Sequence, residues 1–463
     1  MTELPRGWAT ATLGEVAAWS SGGTPRAGTA TYYGGDIPWA VIGDLNDGRV
    51  SLTASTITPL GLRNSSAKIV DKGTVLVAMY GSIGKLGISQ IPMATNQAIA
   101  CAVPSRAITR DWLFWWLRSQ RHELLAAGKG GTQSNISQTV LKAWPIPIAP
   151  RSEQERIVTA IEEAFSKLDA GEAGLRTVRQ LLKRMREAIL TAAVTGRLVS
   201  QDPTDTPAAK LLGVEAAEPD GVPELPPSWA WTELGVIAEV VGGVTKDSKR
   251  QSDASFVEVP YLRVANVQRG FLDLETITTI RVAPEKAAQL ELQRGDVLFN
   301  EGGDRDKLGR GWVWEGQIAS CIHQNHVFRA RLSGGVEPKL VSIWGNTFGR
   351  GWFEDRGKQT TNLASLNLKT LKAFPVPIAP VEEQSRILAE VERQMSFLDA
   401  CERAVDVGVD RAAGLRRSVL KAAFEGRLVP QDPSDEPATV LLERIRAERS
   451  VQSVTKRRAR QSA

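Results

Sequence analysis

Apolar residues recur at alternating spacings of four and three along two long stretches of the chain. In the first, Ile157, Ile161, Ala164, Leu168, Gly171, Leu175, Val178, Leu182, Met185, Ile189 and Ala192 follow without a break. In the second, Ile387, Val391, Gln394, Leu398, Cys401, Val405, Gly408, Ala412, Leu415, Val419 and Ala422 keep the same register. A seam of period 3.5 sustained in this way predicts a coiled coil. Its predicted helix–helix interface is Ile157, Ile161, Leu168, Leu175, Leu182 and Ile189 on one side, and Ile387, Val391, Leu398, Val405, Leu415 and Val419 on the other. Gly171, Gln394 and Gly408 weaken the seam locally. Ser152 with Glu155 reads as a capping box, and Gly196 and Gly426 as helix-terminating glycines. A buried helix of an ordinary bundle would show a similar spacing, but both stretches are long and carry polar residues between the seam positions.

Elsewhere the pattern is shorter. Ile37–Ile42, Thr74–Met79 and Ala98–Val103 are brief apolar runs bounded by Gly, Asn and Asp, and read as strands. Asp111–Ala127 reads as a helix with Trp112, Trp115, Trp116, Leu124 and Leu125 as its apolar members. Val259–Val264 supplies a comparable strand further along. The blocks ahead of each heptad stretch are therefore α+β.

The chain is an internal repeat. Trp144-Pro-Ile-Pro-Ile-Ala-Pro150, Glu153-Gln154 and Arg156-Ile157 return as Phe374-Pro-Val-Pro-Ile-Ala-Pro380, Glu383-Gln384 and Arg386-Ile387. Gly196-Arg-Leu-Val199 and Gln201-Asp-Pro203 return as Gly426-Arg-Leu-Val429 and Gln431-Asp-Pro433. The blocks ahead of them match only in layout: Leu4-Pro5 and Trp8 against Leu225-Pro226 and Trp229, and Lys85-Leu-Gly87 against Lys307-Leu-Gly309. The reading is one scaffold used twice: a block at 1–143, a helical region at 144–200, a Pro-rich linker at 201–228, a second block at 229–373, a second helical region at 374–443, and a basic tail at 444–463 expected to be disordered.

Charge separates these parts. The net charge of +5 arises from +5 in residues 1–150, −2 in 151–221, +1 in 222–380, −5 in 381–443 and +6 in 444–463. Acidic helices are poor partners for phosphate, so a nucleic-acid contact would fall to the blocks, leaving the helices to face protein. The start Met1-Thr-Glu-Leu-Pro has no apolar core and no stretch approaches a membrane span, so a cytoplasmic protein is expected. Cys101, Cys321 and Cys401 stand in unrelated contexts, which suits a reducing compartment.

Catalytic signals are weak. Gly81-Ser-Ile-Gly84-Lys85-Leu86 lacks the spacing and the hydroxyl residue of a phosphate loop. Cys321, His323 and His326 lack a second cluster to complete a metal site. No nucleophile elbow, dinucleotide fingerprint or Asn/Asp-Pro-Pro-aromatic methyltransferase motif is present, and three histidines leave little acid–base chemistry.

What remains suits base reading by Arg, Lys, Asn and Gln on glycine-rich loops. The candidates in the first block are Thr24, Arg26, Arg63, Asn64, Tyr80, Ser82, Lys85, Asn96, Gln97, Lys129, Gln133 and Asn135. Those in the second are Thr245, Lys246, Lys249, Arg250, Arg263, Asn266, Arg305, Lys307, Arg310, Gln324, Asn325, His326, Lys358, Gln359 and Asn362.

Two diverged blocks, each followed by Pro-x-Pro-x-x-Pro, Glu-Gln-x-Arg-Ile, a long helix and Gly-Arg-Leu-Val, resemble the specificity subunit of type I restriction–modification systems over nearly the whole chain. The resemblance implies two α/β target recognition domains, each reading half of a bipartite double-stranded DNA target, joined by two long antiparallel coiled-coil helices about a pseudo-twofold axis. It implies modification (methyltransferase) subunits as partners, two of them by expectation, together with restriction/translocase subunits. It implies no cofactor in this chain, with S-adenosylmethionine, ATP and Mg acting on those partners. Helices of about 40 residues span about 60 Å, so they would act as a ruler between two short specific tracts. A coiled-coil adaptor that binds only protein and a self-contained restriction enzyme stand as alternatives.

Overall fold

The computed structural model describes residues 4–128, 135–213, 219–247, 251–303, 307–356, 358–359 and 364–447. The chain divides into two compact units, one formed by Met1–Leu175 with Val407–Ala463 and the other by Arg176–Asp406. Two helices of 44 residues each, Arg151–Val194 and Val381–Phe424, contribute one part to each unit.

In the first unit a five-stranded sheet runs in the order Ala17–Ser21, Ile99–Pro104, Val75–Ala78, Leu86–Ser89, Gly48–Val50. Its pairings are antiparallel except the last, which is parallel. Val75–Ala78 is buried throughout, as an uninterrupted apolar run in a central strand should be. A four-stranded sheet, Ser55–Ile57, Tyr33–Ala40, Met93–Thr95, Ile69–Val70, lies beyond it in the chain's topology. The predicted helix at 111–127 is two helices, Arg110–Ser119 and Arg121–Ala127, parted at Gln120. The prolines of the repeated motif form a strand: Pro145–Ile148 pairs antiparallel with Ala9–Thr12, and so completes the block.

The second unit repeats the plan. Ala238–Gly242, Val327–Leu332, Val297–Asn300 and Gly311–Val313 form a four-stranded sheet. Thr278–Val282, Val257–Leu262 and Ile322–His323 form a three-stranded one. Pro375–Ile378 pairs with Ala230–Glu233 as its counterpart does in the first unit.

The repeated words of the sequence are one knot, tied twice. Glu153 is buried and accepts from Trp8 Nε1 at 3.0 Å; Glu383 is buried and accepts from Trp229 Nε1 at 3.0 Å. Burial pushes both carboxyls above the ordinary range. Gln154 accepts from Thr109 N and donates to Ala107 O and Ala149 O, each at 2.9 Å. Gln384 treats Glu337 N, Gly335 O and Ala379 O in the same way. Arg156 binds Asp435 and Arg386 binds Asp205, so the Arg of each helix start holds the Asp three residues beyond that of a Gln-Asp-Pro segment.

Each helix closes on a glycine. Gly196 (φ 67°) and Gly426 (φ 66°) are left-handed, and the following N–H reaches back to Ala192 O and Ala422 O at 2.9 and 2.8 Å. The opening differs from expectation. The first helix begins at Arg151, directly after Pro150, so Ser152 lies within its first turn and forms no capping box.

The helices are antiparallel within each unit, and the seam needs correction. Ile157, Ile161, Leu182, Ile387, Val391, Leu398 and Val405 are buried, while Leu168, Leu175, Ile189 and Val419 are half-buried. Val178, Met185 and Leu415 are 41%, 40% and 45% exposed. The residue after each of the last two takes the contact instead. Arg186 binds Asp399 and Glu402, and Arg416 binds Asp169 and Glu172. An isolated helix pair buries one narrow stripe, and long arginine stems cover it while their heads meet acids across the pair. Phe165, one place off the seam, is buried against Trp115 and the Arg118 guanidinium.

The segments at the first unit's chain ends are ordered about each other. Residues 438–447 are helical, Ile445 is buried, Ala438 N donates to Gly7 O at 2.8 Å, and Arg446 pairs with Glu15. Within the predicted linker, Ala208–Leu212 is a short helix with Ala208 buried and its N–H on Ser228 O. The rest of the basic tail, from residue 448, lies outside the described residues.

Candidate nucleic-acid interface

Glycine brings three loops together in the first unit. Gly22 runs against Thr95, where a Cβ would stand 1.9 Å from Thr95 O, and Gly23 N donates to that carbonyl at 2.9 Å. Gly23 also abuts Ser66 and Ala67, and its carbonyl accepts from Trp39 Nε1. The Thr24–Arg26 and Asn96–Gln97 loops are thus adjacent, and Arg63–Asn64 closes the helix Pro59–Arg63 just ahead of the Ser66–Ala67 contact. Thr24, Arg26, Arg63, Asn64 and Gln97 are exposed, Asn96 is half-buried, and Thr24 Oγ1 donates to Gln97 Oε1. Asn64 Nδ2 caps its own helix by donating to Leu60 O.

A fourth loop joins this surface through Met79 N, which donates to Ala98 O at 2.8 Å. It carries exposed Tyr80 and Ser82, and Tyr80 bridges to exposed Asn135. Lys85 is half-buried, its ammonium directed at Ile42 O. Arg121 holds this loop from behind, donating to Gly84 O and forking onto Asp47. Burial alone would raise the Asp47 carboxyl, but Arg121 and the Leu86 N–H outweigh it and hold it below the usual range.

The second unit builds the same surface on the same backbone contacts. A Cβ on Gly243 would stand 2.0 Å from His323 O, and Val244 N donates to that carbonyl at 2.9 Å. Glu301 N donates to His326 O, as Met79 N does to Ala98 O; Leu366 N reaches Glu301 O, as Ile136 N reaches Met79 O. Thr245 and Lys246 are exposed, Gln324 and Asn325 half-buried, and His326 exposed. Lys307 and Arg310 are half-buried, with Arg310 Nη2 on Val264 O.

Asn266 does not belong to this surface. It is buried, accepts from Arg263 N, and donates to Asp273 O and Thr276 O, so it braces the loop that carries half-buried Arg263. Lys358 and Gln359 lie on a strand paired with Ala364–Ser365, which pairs with Gly302–Gly303. Lys129, Gln133, Lys249, Arg250, Arg305 and Asn362 lie outside the described residues.

Sequence reasoning missed Glu301, whose carboxylate meets His326 Nδ1 at 2.6 Å. Its counterpart in the first unit is Met79, so the repeat gave no signal. Cys321 and His323 are buried while His326 faces outward; among the described residues no three His, Cys, Asp or Glu side chains are placed to hold a metal ion.

Comparison with known proteins agrees with this architecture. Residues 5–176 match the model of the type I restriction modification DNA specificity domain. The chain is 25% identical to the EcoKI specificity subunit of Escherichia coli K12, over 97% of each chain. It is 26% identical to the StySPI specificity subunit of Salmonella potsdam, again over 97% of each. A chain solved in work on complex assembly and conformational transition of a type I R-M system superposes with a TM-score of 0.64 at 20% identity, covering 92% of this chain and 100% of that one. The HsdS subunit of Thermoanaerobacter tengcongensis gives 0.55 at 18% identity, covering 92% and 98%.

Proposed function

We propose a function from one premise: the chain belongs to the specificity subunits of type I restriction–modification systems. It recognises a DNA sequence and catalyses nothing itself, acting with DNA and with other subunits of the complex. Each unit reads one short tract, and the target is bipartite with unread base pairs between.

The observation that carries this reading is the twinned surface. The same glycine approach and the same carbonyl contacts assemble both sets of loops, while the side chains on them differ. A fixed frame with variable polar side chains is what reading two different half-targets requires.

The helices suit a different task. They are acidic, and Val178, Leu181 and Phe397 are exposed on them, a surface better matched to protein than to phosphate. We assign them to docking two modification subunits, with restriction/translocase subunits joining that assembly. S-adenosylmethionine, ATP and Mg act on those partners. We assign the chain a cytoplasmic setting, which its three unpaired cysteines support.

The test is genome-wide adenine methylation in cells that hold the modification subunit, with and without this chain. A gapped bipartite motif that appears only with the chain is the expected result. Unchanged methylation in the presence of an assembled complex would overturn the assignment.

A further inference from the structure

The two surfaces share a backbone, but one chemical element belongs to the second alone. Where the first unit has Met79 and Ala98, the second has Glu301 and His326. The main-chain bond between the two positions is the same in both units. In the second unit it places a carboxylate and an imidazole side by side, on a surface that would otherwise favour cations.

In the neutral ring these contacts select one tautomer. Glu301 Oε2 lies 2.6 Å from His326 Nδ1, so that ring nitrogen carries the hydrogen and donates it. In the neutral ring Nε2 is then an acceptor. Asn325 Nδ2 faces it at 3.4 Å and donates. The line runs Asn325 to His326 to Glu301, and each member orients the one before it. His326 is 53% exposed and Glu301 25% exposed, and Asn325 is half-buried, so the line lies along the surface with its imidazole open to solvent.

Oriented in this way, Asn325 retains one amide hydrogen and its carbonyl oxygen. That donor–acceptor pair matches the N7 acceptor and N6 donor of adenine in the major groove, and does not match guanine, which offers two acceptors.

We propose that Asn325 reads an adenine in the second half-target, and that His326 and Glu301 are positioning residues that hold its amide in the discriminating orientation. This rests on the reading of the chain as a DNA specificity subunit. Replacing Glu301 by Gln removes the carboxylate and lets the new amide offer either its oxygen or its nitrogen to Nδ1, so that the imidazole tautomer, and with it the Asn325 amide, is no longer held in one orientation. Replacing Asn325 by Asp removes the donor and leaves only acceptors, which suits the exocyclic amine of cytosine.

The experiment maps methylated sites for the assembled complex with the wild-type chain, N325D and E301Q. A wild-type motif must appear first; its absence would count against the DNA-reading assignment itself. With that motif in hand, N325D is expected to lose preference for adenine at one base pair of the second half by roughly 10- to 100-fold, and to gain cytosine there. E301Q is expected to relax that same base pair. The first half and the gap stay as they were. An unaltered motif in N325D, or losses spread over both halves, would overturn the proposal. If E301Q changed a different base pair from N325D, the positioning role would fall. A variant chain that fails to join the complex is replaced by N325S, which shortens the reader and must blunt the same base pair.

Discussion

His323 shows how one residue separates two units built on one plan. It is buried beneath the second reading surface, and its Nδ1 donates to Val327 O at 2.6 Å. Burial, aided by Arg329 and Arg331 and opposed by that hydrogen bond and by Asp296, lowers its pKa to about 4. The unfolded chain therefore takes up a proton below about 6.5 that the folded unit refuses until about 4. Stability is fully present above that window and is lost as pH falls through it, by on the order of 3 kcal/mol. The first unit has Thr95 at the equivalent place and lacks this dependence. H323T should flatten the acid side of the second unit's stability profile, read as the denaturant midpoint between pH 6.5 and 4.5. A slope equal to the wild type's would refute this assignment of the protons. No sequence pattern announces such a residue. Its titration follows from burial, and burial on a short parallel strand is set by tertiary packing.

At the scale of elements, the repeat was legible and its fine contacts were not. The heptad spacing located both long helices, and Gly196 and Gly426 marked their ends, because a left-handed closing residue is a local demand that glycine meets. Spacing alone could not show that Arg186 and Arg416 displace Met185 and Leu415 from the helix contact. That exchange depends on acids of the other helix, Asp399 with Glu402 and Asp169 with Glu172. The loops were legible as polar and glycine-rich, but Asn266 looked like a reader and is a brace, since loop composition does not reveal direction. The closing glycines give a prediction. In G426A a methyl group would meet Pro5 Cγ at 2.3 Å in a backbone conformation that disfavours it. A loss of about 1–3 kcal/mol is expected, read by thermal denaturation of the assembled complex. G196A should behave alike against Pro226. Full retention of stability in both would contradict the packing described at the helix ends.

On the scale of the whole molecule, the proposed reading makes the helices' length a property of the target. Seven residues removed from each long helix, in register, take away about 10 Å and return the seam to nearly the same face. That corresponds to roughly three base pairs at about 3.4 Å each. Methylated-site mapping of such a variant should show a shorter gap between unchanged flanking tracts. Altered flanks at a constant gap would sink the ruler. The knot at each helix start has one more consequence. In the second unit the chain runs unbroken from Gly196 through Ala208 to Trp229, while in the first the equivalent pieces, Gly426 to Ala438 and Pro5 to Trp8, meet with no such covalent join. Packing there does not depend on which pieces share a peptide bond.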